Sequence, residues 1–151
     1  MLYRVKTTRE GKRWLIEFPD CPGCHTFGET KKEALAMAKE ALEGWLEAHL
    51  VLGRIPPKPR KKIGVAIFVN PVLGLVLQIL WLRQDRGWSQ KDVAKRVGVS
   101  QQAIAKIEDP DSNPTLDTLS RVAESLGMHI DVSLVSTRKR GRGLVSHSVA
   151  A

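Results

Sequence analysis

The sequence predicts an α+β chain in two parts: a βββαβ unit over residues 1–69, then an all-α unit over residues 70–135 that closes on a single strand. Three observations carry this. Short alternating segments come first and a long helical periodicity follows, the order of a sheet with one helix on one face. A proline-rich stretch then leads into an uncharged apolar run. Finally, Ser89 to Glu108 holds two helix-start signals eleven residues apart with a glycine between them, the layout of a helix-turn-helix.

From Leu2 to Lys6, Tyr3 and Val5 share one face and Arg4 and Lys6 the other. Glu10-Gly11 supplies a turn, and Arg13 to Phe18 alternates again with Trp14, Ile16 and Phe18 inward. Asp20 to Gly23 forms a second turn and Cys24 to Glu29 a third strand. Thr30 caps a long helix, with Glu33 closing a capping box. Apolar residues then recur on one face at Leu35, Ala38, Ala41, Leu42, Trp45, Leu46, His49 and Leu50 until Gly53 ends the helix. Residues 54–62 are a basic, proline-rich connector, and Ile63 to Val69 is expected as a fourth, buried strand.

Ile63 to Leu82 has no charge and the length of a membrane span. Two features favour a strand followed by a core helix instead. Asn70-Pro71 interrupts the run, and a residue before proline resists helix. The first part, IGVAIFV, is β-branched. The helix from Val72 to Arg86 is apolar almost all round, so it needs cover on several sides from a domain or subunit contact.

Ser89 caps the first helix of the pair, with Asp92 at its third position, and Gly98 ends it. Ser100 caps the second, Gln101 to Glu108, whose Ile104 and Ile107 face inward. Gln101, Gln102, Ala105 and Lys106 lie on the other face. Such a helix enters the major groove N-terminus first. There glutamine pairs with adenine and lysine donates to guanine. Ser100, Gln101, Gln102, Ala105 and Lys106 are therefore the expected DNA-facing set. Gln90, at the start of the preceding helix, is expected on a phosphate.

Thr115 caps the last helix, with Leu116, Leu119, Val122, Ala123 and Leu126 inward. Met128, Ile130, Val132 and Leu134 then alternate with His129, Asp131, Ser133 and Val135. A lone strand has unpaired edges, so these four apolar residues are expected to pair with a second copy about a two-fold axis; packing back on the helices is the alternative.

The formal net charge of +8 is uneven: residues 1–53 are neutral, 54–62 carry +5, and the tail 136–151 carries +4. Connector and tail both offer sequence-independent attraction to phosphate, or act simply as solvated charge runs. The tail, with Lys139 and Arg140, is expected to be disordered without a partner. Met1 to Phe18 interleaves charged and apolar residues, unlike an export signal, so a cytoplasmic location is expected. Cys21-Pro22-Gly23-Cys24-His25 matches the haem-attachment spacing, but haem attachment needs export and zinc needs further ligands. A tight Pro-Gly turn is the preferred reading. The four histidines are scattered and no catalytic constellation, cofactor or metal is expected.

Leu77 to Leu126 resembles the Cro and phage-repressor (XRE) helix-turn-helix family through Leu82, Arg83, Gly87, Ser89, Gln90, Ala94, Gly98, Val99, Ser100, Gln102, Ile104, Glu108, Pro114, Leu119, Ala123 and Leu126. After the second helix it departs from the family's Glu-x-Gly, reading Asp109-Pro110-Asp111-Ser112-Asn113. The resemblance implies operator binding by a symmetric dimer. Residues 1–69 are similar to the HicB antitoxin family, through Pro22-Gly23-Cys24, Thr26-Phe27-Gly28-Glu29-Thr30, Glu33-Ala34 and the proline-rich Ile55 to Pro59. That implies a partial ribonuclease H-like fold without nuclease activity. It also implies a HicA-like ribonuclease toxin as partner, double-stranded operator DNA as the other, and a homodimer or tetramer. No toxin-contacting residue is assigned; the CPGCHT loop and the adjoining strand edge are candidates only. A stand-alone repressor with a ligand- or protein-sensing first domain is the alternative, and a membrane-tethered regulator a third.

Overall fold

A computed structural model describes residues 1–136. Lys139, Arg140 and the rest of the basic tail lie outside the described residues. Nine elements follow one another: β1 (Leu2–Glu10), β2 (Arg13–Glu17), β3 (His25–Gly28), α1 (Lys31–Val51), β4 (Val65–Phe68), α2 (Pro71–Asp85), α3 (Gln90–Val97), α4 (Gln101–Glu108) and α5 (Leu116–Ser125).

The four strands form one antiparallel sheet in the order β3-β2-β1-β4. Helix α1 covers one face. Its Ala34, Ala38, Leu42 and Leu46 are buried with Tyr3, Val5, Ile16 and Ile67 from the strands. The Thr30–Glu33 capping box fixes where α1 begins. Gly28, on β3, sits so close to α1 that a Cβ there would stand 2.5 Å from the backbone nitrogen of Ala34.

Two expectations need correction. The fourth strand is not buried throughout: it spans Val65–Phe68 and, among the described residues, pairs with β1 alone at an edge of the sheet. One face of an edge strand under one helix is covered, so Ile67 and Val69 are buried while Phe68 is exposed and Ile63 is 93 % exposed. Residues 128–135 form no strand within the single chain. Only Ile130 packs against the core, and Met128, Val132 and Leu134 stay exposed. A strand needs a ladder partner for its backbone N–H and C=O groups, and the described residues offer none there.

The apolar helix α2 obtains its cover inside the chain. Asn70 caps it by accepting from the amides of Val72 and Leu73, and Pro71 occupies the first turn, where no N–H is needed. Leu73, Val76, Leu77, Ile79, Leu80 and Trp81 are buried. The Trp81 Nε1 donates to the Pro56 carbonyl (2.7 Å), the Asn70 amide donates to Glu43 Oε1 (2.6 Å), and Lys58 pairs with Asp85. Residues of both halves thereby join one continuous core. Among the described residues, no helix is long and apolar enough to cross a membrane.

Candidate nucleic-acid interface

The reading unit is built by two capped helices and an ion pair beneath them. Ser89 Oγ accepts from the Asp92 amide (3.1 Å) while the Asp92 carboxylate accepts from the Ser89 amide (2.8 Å). The Ser89 hydroxyl also donates to Asp92 (2.7 Å), and this bond, foremost, holds the Asp92 carboxyl below the usual carboxylate range. Gly98 ends α3 in the left-handed region, φ 78°, where a side chain is disfavoured. Ser100 then starts α4 by accepting from the Ala103 amide (3.2 Å).

On α4, Ile104 and Glu108 are buried and Ile107 half-buried, whereas Gln101, Gln102 and Lys106 are exposed and Ala105 half-buried. The helix therefore turns its back on the core with two adjacent amides and a lysine outward, the donor and acceptor set that reads base edges. Ser100 is exposed too, its hydroxyl engaged as the cap.

Gln90 is placed differently from the expectation. Its Nε2 donates to Glu108 Oε2 at 2.7 Å, so its donor points into the protein rather than toward a phosphate. A buried carboxylate outcompetes solvent for that amide. What α3 still offers an anion is its first two backbone N–H groups, at Gln90 and Lys91, which lack intrahelical partners. Glu108 is the hub. Its side chain is 7 % exposed and accepts from Arg83 Nε (2.9 Å) and Nη2 (3.2 Å), a two-pronged pair that ties α4 to α2 while Gln90 ties it to α3. Arg83 also donates to the Trp88 carbonyl (3.0 Å). Sequence reasoning matched Arg83 and Glu108 to a family pattern without pairing them. The signal was available: an arginine ending an apolar helix, and an acid four residues after buried Ile104.

Trp88, just before α3, lies between two guanidiniums, Arg86 at 4.7 Å and Arg96 at 3.9 Å from its ring centre. Arg86 in turn donates to the Leu126 carbonyl (2.9 Å), holding the α2–α3 corner against α5.

In the first unit the CPGC segment is a turn. The Cys24 amide donates to the Cys21 carbonyl (2.9 Å), with Pro22 and Gly23 (φ 84°) as its central residues. Both cysteines are free and buried, and burial pushes the thiols up to about 12 for Cys21 and about 11 for Cys24. Such thiols stay protonated and make poor nucleophiles and ligands. Among the described residues, no group of three or more His, Cys, Asp or Glu side chains could hold a metal ion. The candidate toxin-facing loop is accessible at Pro22, Gly23 and His25, and β3 beside it is, among the described residues, an edge of the sheet.

Comparison with known proteins covers both halves. Residues 3–70 match the family described as HicB_like antitoxin of bacterial toxin-antitoxin system, and residues 79–132 match Helix-turn-helix. The chain is 31 % identical over 134 residues to Antitoxin HicB 2 of Photorhabdus laumondii subsp. laumondii, spanning 87 % of this chain and 95 % of that protein. It is 24 % identical over 124 residues to Antitoxin HicB of Escherichia coli (strain K12), spanning 81 % and 90 %. Its helix-turn-helix part alone is similar to Antitoxin HipB of the same strain, 38 % over 45 residues, spanning 30 % of this chain and 51 % of that protein. With a helix-turn-helix of exposed Gln101 and Gln102 behind a HicB-like sheet-and-helix unit, the chain belongs to the HicB antitoxin family.

Proposed function

We propose that this protein is a cytoplasmic antitoxin. Its first domain, read as a ribonuclease H-like remnant, binds a small HicA-like ribonuclease toxin and covers its active face; its second represses the operon that encodes both. The observation that carries the DNA half is the outward pair Gln101 and Gln102 at the start of a helix whose other side is locked by Ile104 and Glu108. Covering a toxin requires only a complementary surface, and the residues suit that. Two-metal hydrolysis needs clustered carboxylates on adjacent strands. Here Glu17 lies across from Lys6 on β1 and His25 on β3, and Glu10 across from Arg13.

Met128, Ile130, Val132 and Leu134 serve as the seam of a homodimer, pairing with the same segment of a second copy. The alternation of apolar residues in sequence and the exposure of Met128, Val132 and Leu134 support that role. A two-fold dimer presents two α4 helices to successive major-groove faces.

Co-expression with a short basic protein encoded beside it, followed by size exclusion, tests the antitoxin reading: one stable complex is expected, and two separate peaks refute it. On a duplex from upstream of the gene, Gln101→Ala or Gln102→Ala is expected to cost about 1–3 kcal/mol relative to a scrambled duplex. Unchanged discrimination in both variants means that α4 does not read bases through them.

A further inference from the structure

We propose that Arg54, a residue of the first domain, is a DNA-phosphate contact flanking the recognition helix. The inference rests on the operator-binding reading above. Arg54 is held in place by the end of α1. Gly53 takes the left-handed conformation (φ 67°) and donates to the Leu50 carbonyl (2.9 Å), and the Arg54 amide donates to the His49 carbonyl (2.8 Å). This paired closure of a helix C-terminus fixes the backbone of the residue after the glycine.

That placement brings Arg54 to a cleft of about 450 Å³ between the end of α1 and the helix-turn-helix, whose opposite wall includes Gln90, Ala105, Asp109 and Asp111. Ala105 belongs to the outward set of α4, and Gln90 starts α3, so the cleft opens beside the surface that takes the duplex. A major groove is only about 12 Å wide, so a recognition helix lying in it has a sugar-phosphate strand close along each side. The strand on the Ala105 side passes the mouth of this cleft. Asp109 and Asp111 place two negative charges there, and a phosphate strand needs a cation to offset them. The other cation lining the cleft, Arg83, is committed to Glu108. Arg54 is exposed and makes no ion pair among the described residues.

A purely structural role is the competitor, since a cation near the carbonyl end of a helix stabilises it. The two differ in what they move. Full-length chain and its Arg54→Ala, Arg54→Lys and Lys62→Ala variants are titrated by fluorescence anisotropy against the upstream duplex and a scrambled duplex of equal composition, across a series of salt concentrations, with thermal unfolding alongside. Arg54→Ala is expected to weaken both duplexes by the same factor, about eightfold per protomer near 0.1 M salt, and to lower the salt slope by about one. Arg54→Lys should retain the slope, and Lys62→Ala should leave it unchanged. An unchanged slope with a lowered melting temperature assigns Arg54 to capping and overturns the proposal. Tighter binding by Arg54→Ala also overturns it, because the first domain would then be an obstruction. An equal loss in Lys62→Ala makes the effect one of general charge and overturns it as well. If the Gln101 and Gln102 variants keep their discrimination while Arg54→Ala behaves as expected, base reading has failed and the phosphate contact stands. If the unmodified chain binds neither duplex, both fall together.

Discussion

Glu108→Ala is the perturbation that most directly tests how the reading helix is held. The Glu108 side chain is 7 % exposed and that of Arg83 17 %, with both Arg83 nitrogens on the carboxylate and Gln90 sharing one of its oxygens. Removing one member of such a pair strands the other charge where water reaches it poorly, which costs about 3–5 kcal/mol when burial is complete. Arg83 retains some solvent contact and a second acceptor in the Trp88 carbonyl, so the loss belongs at the low end, about 3 kcal/mol. For a chain of this length that corresponds to a fall in melting temperature of about 6–12 °C.

Glu108→Gln keeps the shape and one acceptor oxygen but loses the charge, and should cost about 1–2 kcal/mol. Replacing both partners by apolar residues of similar volume, Arg83→Met with Glu108→Leu, should recover much of the loss, because the penalty is the unpaired charge more than the absent bond. Urea unfolding of the unmodified chain, Arg83→Met, Glu108→Leu and the double variant gives the double-mutant cycle directly. A Glu108→Ala loss below about 0.5 kcal/mol would refute the argument. So would strictly additive single losses, since both outcomes leave no coupling across the pair.

Three further outcomes follow from the same geometry. Gly28→Ala forces a Cβ to 2.5 and 2.7 Å from the Ala34 backbone nitrogen and Cα, so the start of α1 must shift; unfolding should show a loss of at least about 2 kcal/mol, and a neutral effect would mean that β3 and α1 are less closely apposed. With their thiols raised to about 12 and 11, Cys21 and Cys24 keep protons in the folded chain that the unfolded chain releases, so their contribution to stability is intact below the ordinary thiol pKa near ~8.5 and is lost as pH climbs through the raised values. Iodoacetamide at about pH 8 should label neither until denaturant is added, and rapid labelling of the native chain would contradict their burial. Val132→Asp with Leu134→Asp should convert a dimer to a monomer by light scattering while changing the single chain's own stability by less than about 0.5 kcal/mol, because both side chains are already exposed within it; a variant that remains dimeric removes the seam from residues 128–135.

The features readable in advance were those written in local chemistry. Thr30 with Glu33, and Ser89 with Asp92, form the capping boxes their spacing announces, because both partners lie within one turn. Asn70-Pro71 signalled a break in an apolar run and proved to be a cap followed by a first-turn proline. Where a choice depended on distant partners, local pattern was insufficient. IGVAIFV reads equally as a buried or an edge strand until its neighbours are known, and among the described residues its neighbour is β1 alone. The alternation of Met128 to Val135 describes a strand, yet among the described residues that segment finds no ladder partner.

Gln90 shows the same limit within the site itself. Its position at the front of α3 is a property of sequence, but the direction of its amide is decided by Glu108, eighteen residues onward, and by Arg83, which keeps that carboxylate buried. The ion pair thus governs two things at once: the seating of α4, and which groups of α3 remain to meet a phosphate. Gln90, Asp109 and Asp111 line one cleft with Arg54 and Arg83, so the ion pair also shapes the place where the proposed phosphate contact would sit. Arg54 reaches that cleft because the two halves share one core, a placement that the helix-turn-helix sequence alone does not encode.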